Sequence, residues 1–140
     1  MTCGEIMTRN VVCCVPEDTL EHAATLMKTE DVGPIPVVES HASRRLIGIV
    51  TDRDLVVKGI AEGRDVKSTS IREIMTDHPV ACSEKDKVDD AVGLMADHKV
   101  RRIPVVDEGN HILGIIAQAD IATRLGKTKK TGDVVEKISG

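Results

Sequence analysis

Apolar residues recur with helical spacing in two separate stretches of this chain. In each stretch, four apolar residues fall at positions i, i+3, i+4 and i+7, which places them on one face of an α-helix. These residues are Leu20, Ala23, Ala24 and Met27 in the first stretch, and Val88, Ala91, Val92 and Met95 in the second. The pattern therefore predicts two amphipathic helices, each with one buried face.

Short runs of β-branched residues, bounded by turn residues, flank each predicted helix and are typical of strands. The predicted strands are Val11–Val15, Ile35–Val38 and Leu46–Val50 in the first half, and Val80–Cys82, Ile103–Val106 and Ile112–Ile116 in the second. A second helix is predicted over Asp52–Glu62 before Gly63, and another from Gln118 to about Leu125. With a short helical turn at the start of each half, this order predicts an α+β fold.

Residues 73–106 repeat the sequence pattern of residues 5–38. The tetrapeptide Glu5-Ile6-Met7-Thr8 returns as Glu73-Ile74-Met75-Thr76, and Ile35-Pro36-Val37-Val38 returns as Ile103-Pro104-Val105-Val106. A repeat of this length indicates two copies packed about an approximate twofold axis, with clefts between them. We predict a first repeat at 1–63, a linker at 64–70, a second repeat at 71–126 and a charged tail at 127–140.

The composition argues against a membrane span and against a nucleic-acid partner. The chain has 140 residues, of which 41% are hydrophobic, and its formal net charge is −4. No run reaches the roughly 18 apolar residues of a transmembrane helix, and proteins that coat nucleic acid are usually basic. The N-terminus lacks a charged-then-apolar signal, so we expect a cytoplasmic location.

The chain contains no Phe, Tyr or Trp. Aromatic stacking, the usual platform for bases of single-stranded nucleic acid, is therefore excluded. A purine would have to bind between aliphatic side chains and backbone.

The four cysteines and five histidines show no metal-binding spacing. There is no C-x-x-C pair, no zinc-finger spacing and no histidine pair at i, i+4. We interpret Cys14 and Cys82, at equivalent repeat positions, as small buried strand residues, and we predict no metal site. Thiol redox or metal chemistry at Cys13 and Cys14 is kept as a third functional hypothesis. No nucleophile–base arrangement, P-loop or G-x-G-x-x-G motif is present, so we predict no enzyme.

The strongest local motif lies where the last strand of the first repeat meets its helix. Thr51 is at the predicted N-cap position, and Asp54 follows three residues later. One interpretation is a capping box, in which the Thr hydroxyl accepts the N3 amide and the acid favours the helix N-terminus. The other is a ligand site, in which helix-start amides and the hydroxyl bind phosphate while the carboxylate accepts the two hydroxyls of a ribose.

The motif order resembles that of the cystathionine-β-synthase (CBS) domain. The resemblance covers roughly residues 3–126 and rests on the repeated element order, the I-P-V-V strands and the G-h-h-T-x-x-D segment at Gly48–Asp54. The tandem CBS repeats resemble a Bateman module, which is a pseudo-twofold pair. The stretch Thr51–Ala61 is similar to small stand-alone bacterial CBS proteins of the hypoxic-response and stress type. The resemblance implies a non-enzymatic sensor whose regulatory ligand is an adenosine nucleotide (AMP, ADP, ATP or an S-adenosylmethionine-like compound), with no cofactor required.

The resemblance also implies two nucleotide sites, each built from the T-x-x-D motif of one repeat and the earlier strands of the other. The main site comprises Thr51, Asp54, Thr76, Val80, Cys82, Val100, Arg101 and Arg102. The weaker site comprises Thr8, Val12, Cys14, Val32, Gly33, Pro34 and Asp120.

The two sites are predicted to differ in strength. Ala117 replaces the hydroxyl residue of the motif in the second repeat, and Gly33-Pro34 stands in place of Arg101-Arg102. The weaker site thus lacks one hydroxyl and two guanidinium groups, which are well-suited anion donors. Each lost charged contact costs on the order of 1–3 kcal/mol.

Leu26 and Leu94 widen the apolar faces of the two amphipathic helices. Wide apolar helix faces mark oligomer contacts, and the resemblance implies a disk-like homodimer joined through these helices. With no attached effector domain, the protein would act through the dimer or through an effector protein. The alternative is a ligand-independent dimeric interaction protein, in which T-x-x-D is only a helix cap.

Overall fold

The computed structural model describes residues 1–125, so the predicted charged tail at 127–140 lies outside the described residues. The chain forms two compact units. The central unit comprises residues 12–79, and the terminal unit comprises residues 1–11 together with residues 80–125. The units differ from the sequence repeats because each unit takes in the opening segment of the other repeat.

Helices and strands alternate as expected for the α+β class. None of the helices within residues 1–125 combines the length and the apolar character needed to span a bilayer. In chain order the elements are α1 (Cys3–Ile6), β1 (Thr8–Arg9), α2 (Leu20–Glu30), β2 (Pro34–Val38), β3 (Leu46–Thr51), α3 (Asp52–Asp54) continued by a π-helical stretch (Leu55–Ile60), a 3₁₀ turn (Ile71–Glu73), β4 (Thr76–Asp77), β5 (Cys82–Ser83), α4 (Val88–His98), β6 (Arg102–Val106), β7 (Ile112–Ala117) and α5 (Gln118–Leu125).

The central unit holds a three-stranded antiparallel sheet in the order β2-β3-β4. In the β2–β3 hairpin, Pro34 lies opposite Thr51. On the other side of β3, Thr76 of β4 lies opposite Ile49. The sheet therefore places Thr76 beside the end of β3 that leads into α3.

The terminal unit repeats this arrangement with the order β1-β7-β6-β5. Arg102 lies opposite Ala117 in the β6–β7 hairpin, and Thr8 of β1 lies opposite Ile115 on β7. Strand β5 adds a parallel neighbour to β6. Thus β1 and β4, which are equivalent in the repeat, each pair with the hairpin of the other repeat.

Each unit has its own aliphatic core, and the amphipathic helices contribute the faces that the sequence predicts. Seven of the eight stripe residues are buried, whereas Ala24 is exposed. Leu26 and Leu94 are partly buried and pack against the core of their own units. The core of its own unit therefore covers part of the surface of each leucine side chain.

The predicted strand Val11–Val15 does not form. Only Cys14 pairs, through an isolated parallel bridge to Val37. The Val15 N–H instead donates to the Asp18 carboxylate at 3.0 Å, so the ladder ends at this turn. The prediction was wrong here because a local side-chain acceptor competes with the sheet.

The helix predicted over Asp52–Glu62 is α-helical only for its first turn. Ala61 N–H then donates to the Val56 carbonyl at 2.8 Å, an i to i−5 bond that marks the π-helical stretch. A Cβ on Gly59 would lie 3.0 Å from Leu20 Cδ1, so the backbone approaches α2 closely at this point. Gly63 adopts a φ of 73° and ends the segment, as the sequence predicts.

Two equivalent glycines let β1 and β4 lie against their partner hairpins. A Cβ on Gly48 would lie 2.8 Å from Met75 Sδ and 3.0 Å from the Thr76 carbonyl oxygen. A Cβ on Gly114 would lie 2.5 Å from the Thr8 carbonyl oxygen. The glycine of each G-h-h-T/A-x-x-D segment thus sets the position of Thr76 or Thr8.

Gly114→Ala is expected to lower the free energy of unfolding by about 1–3 kcal/mol, because the new methyl group collides with backbone that has little room to move. Gly93→Ala in α4 is the matched control, since a Cβ there meets no heavy atom within 4 Å. The control should raise stability by about 0.5–1 kcal/mol through helix propensity. Urea denaturation of both variants tests the assignment, and equal effects of the two substitutions would contradict it.

Candidate functional site

The turn at Thr51 forms a complete capping box. The Thr51 N–H donates to Asp54 Oδ2 at 2.9 Å, and the Asp54 N–H donates to Thr51 Oγ1 at 3.1 Å. The first amides of the helix are therefore satisfied within the protein. Both side chains are partly buried, and the Asp54 side chain is only 14% exposed.

Lys58 neutralises part of the charge on this turn. Its Nζ lies 3.4 Å from Asp54 Oδ1 and 3.5 Å from the Ile74 carbonyl oxygen. The two carboxylate oxygens thus face different partners, the Thr51 amide and the Lys58 ammonium. Each oxygen has more than one lone-pair direction, so the carboxylate can accept further hydrogen bonds from ligand hydroxyls.

The central unit brings further site candidates to the same strand end. Thr76 is exposed and lies opposite Ile49, two residues before Thr51 on β3. Pro34 lies opposite Thr51, and the Gly33 carbonyl accepts the Asp52 N–H at 3.1 Å. Gly33 and Pro34, which the sequence assigned to the weaker site, are therefore direct neighbours of the Thr51 turn.

The equivalent turn of the terminal unit keeps half of the capping box. The Ala117 N–H donates to Asp120 Oδ2 at 3.1 Å. Ala117 has no hydroxyl to accept the N–H of Asp120, so the return hydrogen bond of the box is missing. The capping boxes of the two turns thus differ by one hydroxyl group.

Arg101 and Arg102 lie beside this second turn. Arg102 is opposite Ala117, and the Arg101 carbonyl accepts the Gln118 N–H at 2.9 Å. Both arginines are exposed and help to line an open cavity of about 350 Å³. The other lining residues are Ala117, Gln118, Ala119 and Ala122. Two guanidinium groups beside a helix start suit an anionic group.

Cys14 and Cys82 do not present their thiols to a surface. Their side chains are 0% and 2% exposed and belong to the apolar cores of their units. Val12 and Val80 are half-buried, whereas Val32 and Val100 are each 37% exposed. Of these six predicted lining residues, the two exposed valines offer the apolar surface that a purine needs.

Each unit contains some residues of the predicted main site and some residues of the predicted weaker site. Thr76 lies in the same unit as Thr51 and Asp54, and Thr8 lies in the same unit as Asp120. The other main-site members lie in the terminal unit: Val80, Cys82, Val100, Arg101 and Arg102. The other weaker-site members lie in the central unit: Val12, Cys14, Val32, Gly33 and Pro34. The assignment of each set to a common nucleotide stays a prediction.

Lys58 is the functional candidate that the sequence analysis missed. It lies four residues after Asp54 in the chain, and an acid followed by a base at i, i+4 is a standard helix-surface pair. The i, i+4 spacing of Asp54 and Lys58 is the sequence signal from which this ion pair could have been predicted.

No metal-binding constellation supports the thiol hypothesis at Cys13 and Cys14. Among the residues that the structure describes, no group of three or more His, Cys, Asp or Glu side chains could hold a metal ion. Burial raises the pKa of the Cys13 thiol and raises the pKa of the Cys14 thiol to about 12. Both thiols therefore stay protonated and unreactive near neutral pH.

Sequence comparisons match both repeats over nearly their whole length. The sequence model of the CBS domain matches residues 3–59 and 71–127. CBS domain-containing protein YhcV of Bacillus subtilis is 38% identical over 135 residues, which cover 96% of this chain and 93% of that protein. Hypoxic response protein 1 of Mycobacterium tuberculosis is 35% identical over 124 residues, which cover 89% of this chain and 85% of that protein.

Solved structures share the fold. Hypoxic Response Protein I with two coordinated zinc ions has a TM-score of 0.81 at 33% identity, covering 90% of this chain and 100% of that one. The CBS domain pair of protein MJ0100, in complex with 5-methylthioadenosine and S-adenosyl-L-methionine, has a TM-score of 0.79 at 25% identity, covering 90% and 96%. CBSX2 in complex with AMP has a TM-score of 0.75 at 26% identity, covering 89% and 95%. This chain belongs to the CBS domain family and carries two tandem copies of the domain.

Proposed function

We propose that this protein is a non-enzymatic regulatory module that binds an adenosine nucleotide or an S-adenosylmethionine-like compound. The observation that carries the proposal is the Thr51–Asp54 turn, where a sheltered carboxylate keeps acceptor capacity beside an exposed Thr76. AMP in CBSX2 and S-adenosyl-L-methionine in MJ0100 support the ligand class, since both compounds contain adenosine. The ribose diol is the group that Asp54 would recognise.

The phosphate is assigned to Arg101 and Arg102, and the purine to aliphatic surface. The two guanidinium groups are exposed and provide charged donors that suit phosphate oxygens. Val100 precedes them and is 37% exposed, as is Val32. Because the chain has no aromatic residue, adenine would be held by such side chains and by backbone hydrogen bonds.

The set around Asp120 is proposed as the weaker site. Asp120 retains a carboxylate that a ribose could reach, but Ala117 offers no hydroxyl. Its assigned partners Gly33 and Pro34 carry no charge. One dominant binding event per chain is therefore expected.

The proposal includes a cytoplasmic homodimer that acts through its own assembly or through an effector protein. Helices α2 and α4 would join the two copies, because Leu26 and Leu94 are only partly covered by their own cores. Membership of a family of small regulatory domains supports the assignment to regulation rather than to catalysis.

A second candidate function is a ligand-independent interaction protein. It is favoured by the capping box itself, which is complete at Thr51 and Asp54 without any ligand. In that case the motif serves only to begin α3, and no nucleotide would change the stability of the protein.

Thermal unfolding distinguishes the two candidates. A nucleotide at 100 times its dissociation constant adds about 2.7 kcal/mol to the free energy of unfolding, which raises the Tm by roughly 5–15 °C for a domain of this size. AMP, ADP, ATP and S-adenosylmethionine should be compared with 2′-deoxy-AMP, which lacks one hydroxyl of the diol. A shift with AMP that is reduced with 2′-deoxy-AMP is expected. An unchanged Tm with all four adenosine compounds would favour the interaction protein.

A further inference from the structure

The carboxylate that the proposed function assigns to the ribose diol has an ammonium group beside one of its two oxygens. The Asp54 side chain is only 14% exposed, and Lys58 Nζ lies 3.4 Å from its Oδ1 atom. The other oxygen, Oδ2, accepts the Thr51 N–H at 2.9 Å. A ligand hydroxyl that donates to Oδ1 would therefore come close to the ammonium of Lys58, whereas a hydroxyl that donates to Oδ2 would not.

The Lys58 ammonium keeps donor capacity for a ligand. It lies 3.4 Å from Asp54 Oδ1 and 3.5 Å from the Ile74 carbonyl oxygen. Both distances exceed the roughly 2.7–2.9 Å of a close charge-assisted hydrogen bond, so neither acceptor holds the ammonium tightly. An ammonium has three N–H donors, and these two contacts leave one of them for another acceptor. The Lys58 side chain is 45% exposed, so a solute can reach it.

Lys58 differs from the base of an ordinary ion pair on a helix surface. In such a pair both groups face water, and the pair contributes little to stability. Here the acid is sheltered, and the base also contacts the carbonyl of Ile74, 16 residues later in the chain. The second repeat has Arg124 at the same spacing from Asp120, although Ala117 stands there in place of the hydroxyl residue. Both repeats therefore pair the acid of the motif with a base four residues later.

We infer that Lys58 is a specificity-determining residue of the proposed main site and donates a hydrogen bond to one of the two ribose hydroxyls. A hydroxyl can donate its proton to Asp54 Oδ1 and accept from the ammonium at the same time, because its oxygen has two lone pairs. The ligand class is thereby narrowed to nucleotides with a free 2′,3′-diol, since a phosphate on either oxygen removes a donor. The inference rests on the proposed function, because it requires the diol to lie at Asp54.

The affinities of deoxynucleotides test this inference in the full-length protein. Calorimetry measures the dissociation constants of AMP, 2′-deoxy-AMP and 3′-deoxy-AMP for the wild type and for Lys58→Met, which keeps a long side chain without a donor. The deoxy penalty is the dissociation constant of a deoxy compound divided by that of AMP for the same protein. In the wild type, the penalty for one of the two compounds includes the hydrogen bond from Lys58.

One of the two penalties is expected to fall by about tenfold in Lys58→Met, while the other stays within about twofold. Tenfold is the lower end for a hydrogen bond to a charged group, because the half-exposed ammonium is partly screened by water. Lys67→Met is the matched control, since Lys67 is an exposed lysine of the same unit outside the assigned nucleotide contacts. Both penalties of the control should equal those of the wild type. Each penalty is a ratio measured on one protein, so partial unfolding of a variant does not change it.

Two results would overturn the inference and leave the proposed function intact. Unchanged penalties in Lys58→Met would show that Lys58 makes no contact with the ribose. An equal fall of both penalties would show that Lys58 only orients the Asp54 carboxylate. Absence of AMP binding to the wild type is a different result, which would count against the proposed function and would overturn this inference with it.

Discussion

Asp54→Ala is expected to abolish measurable adenosine-nucleotide binding. Its carboxylate is the acceptor that the proposal assigns to both hydroxyls of the ribose, and hydrogen bonds to charged groups contribute about 1.5–3 kcal/mol each. Losing two of them weakens binding by roughly 10²–10⁴-fold, since each 1.4 kcal/mol is a factor of ten. Isothermal titration calorimetry with AMP on nucleotide-free protein measures this loss.

Asp120→Ala is the matched control for that substitution. Asp120 makes the same hydrogen bond to the amide at the start of its helix, at 3.1 Å compared with 2.9 Å for Asp54. Both substitutions therefore remove a helix-cap contact, which costs about 0.5–2 kcal/mol of stability. Urea denaturation should show similar costs, while only Asp54→Ala should remove the main binding event. Equal effects of the two substitutions on AMP affinity would contradict the unequal sites.

The double substitution Arg101→Ala/Arg102→Ala is expected to weaken AMP binding by roughly 10²–10⁴-fold and to leave adenosine binding nearly unchanged. The two guanidinium groups are assigned to the phosphate, and each charged contact contributes about 1.5–3 kcal/mol. Adenosine has no phosphate, so it does not use them. The ratio of the AMP and adenosine dissociation constants, measured by calorimetry, reports the phosphate contact alone.

Arg72→Ala serves as a control for the loss of positive surface charge outside the arginine pair. Arg72 is an exposed arginine of the 3₁₀ turn, and its guanidinium donates to Glu17 at 2.7 Å. Removing it changes the net charge but no assigned nucleotide contact, so AMP affinity should stay within about twofold. A parallel loss of AMP and adenosine affinity in the arginine double variant would assign these residues to folding instead of phosphate binding.

The elements with strong internal periodicity were predictable from sequence. Helices α2 and α4 contain the predicted apolar positions, and the strands of the two hairpins form within one residue of their expected bounds, because each apolar pattern fits one period and appears twice. The Thr51 capping box was also predictable, since it depends on residues only three positions apart.

Features that depend on distant or competing groups were not predictable. The pairing of β1 with β7 and of β4 with β3 exchanges segments between the repeats, and nothing local in Thr8 or Thr76 indicates it. The predicted Val11–Val15 strand does not form, because the Val15 N–H donates to the Asp18 carboxylate instead of to a neighbouring strand.

The central claim is that the chain recognises an adenosine nucleotide through the Thr51–Asp54 turn. Isothermal titration calorimetry of nucleotide-stripped wild-type protein with AMP, ADP, ATP and S-adenosylmethionine tests it most directly. The account predicts at least one of these ligands to bind with a dissociation constant below 1 mM, a free energy stronger than about −4.1 kcal/mol, through one dominant event per chain. Absence of binding below millimolar concentration for all four would contradict the claim.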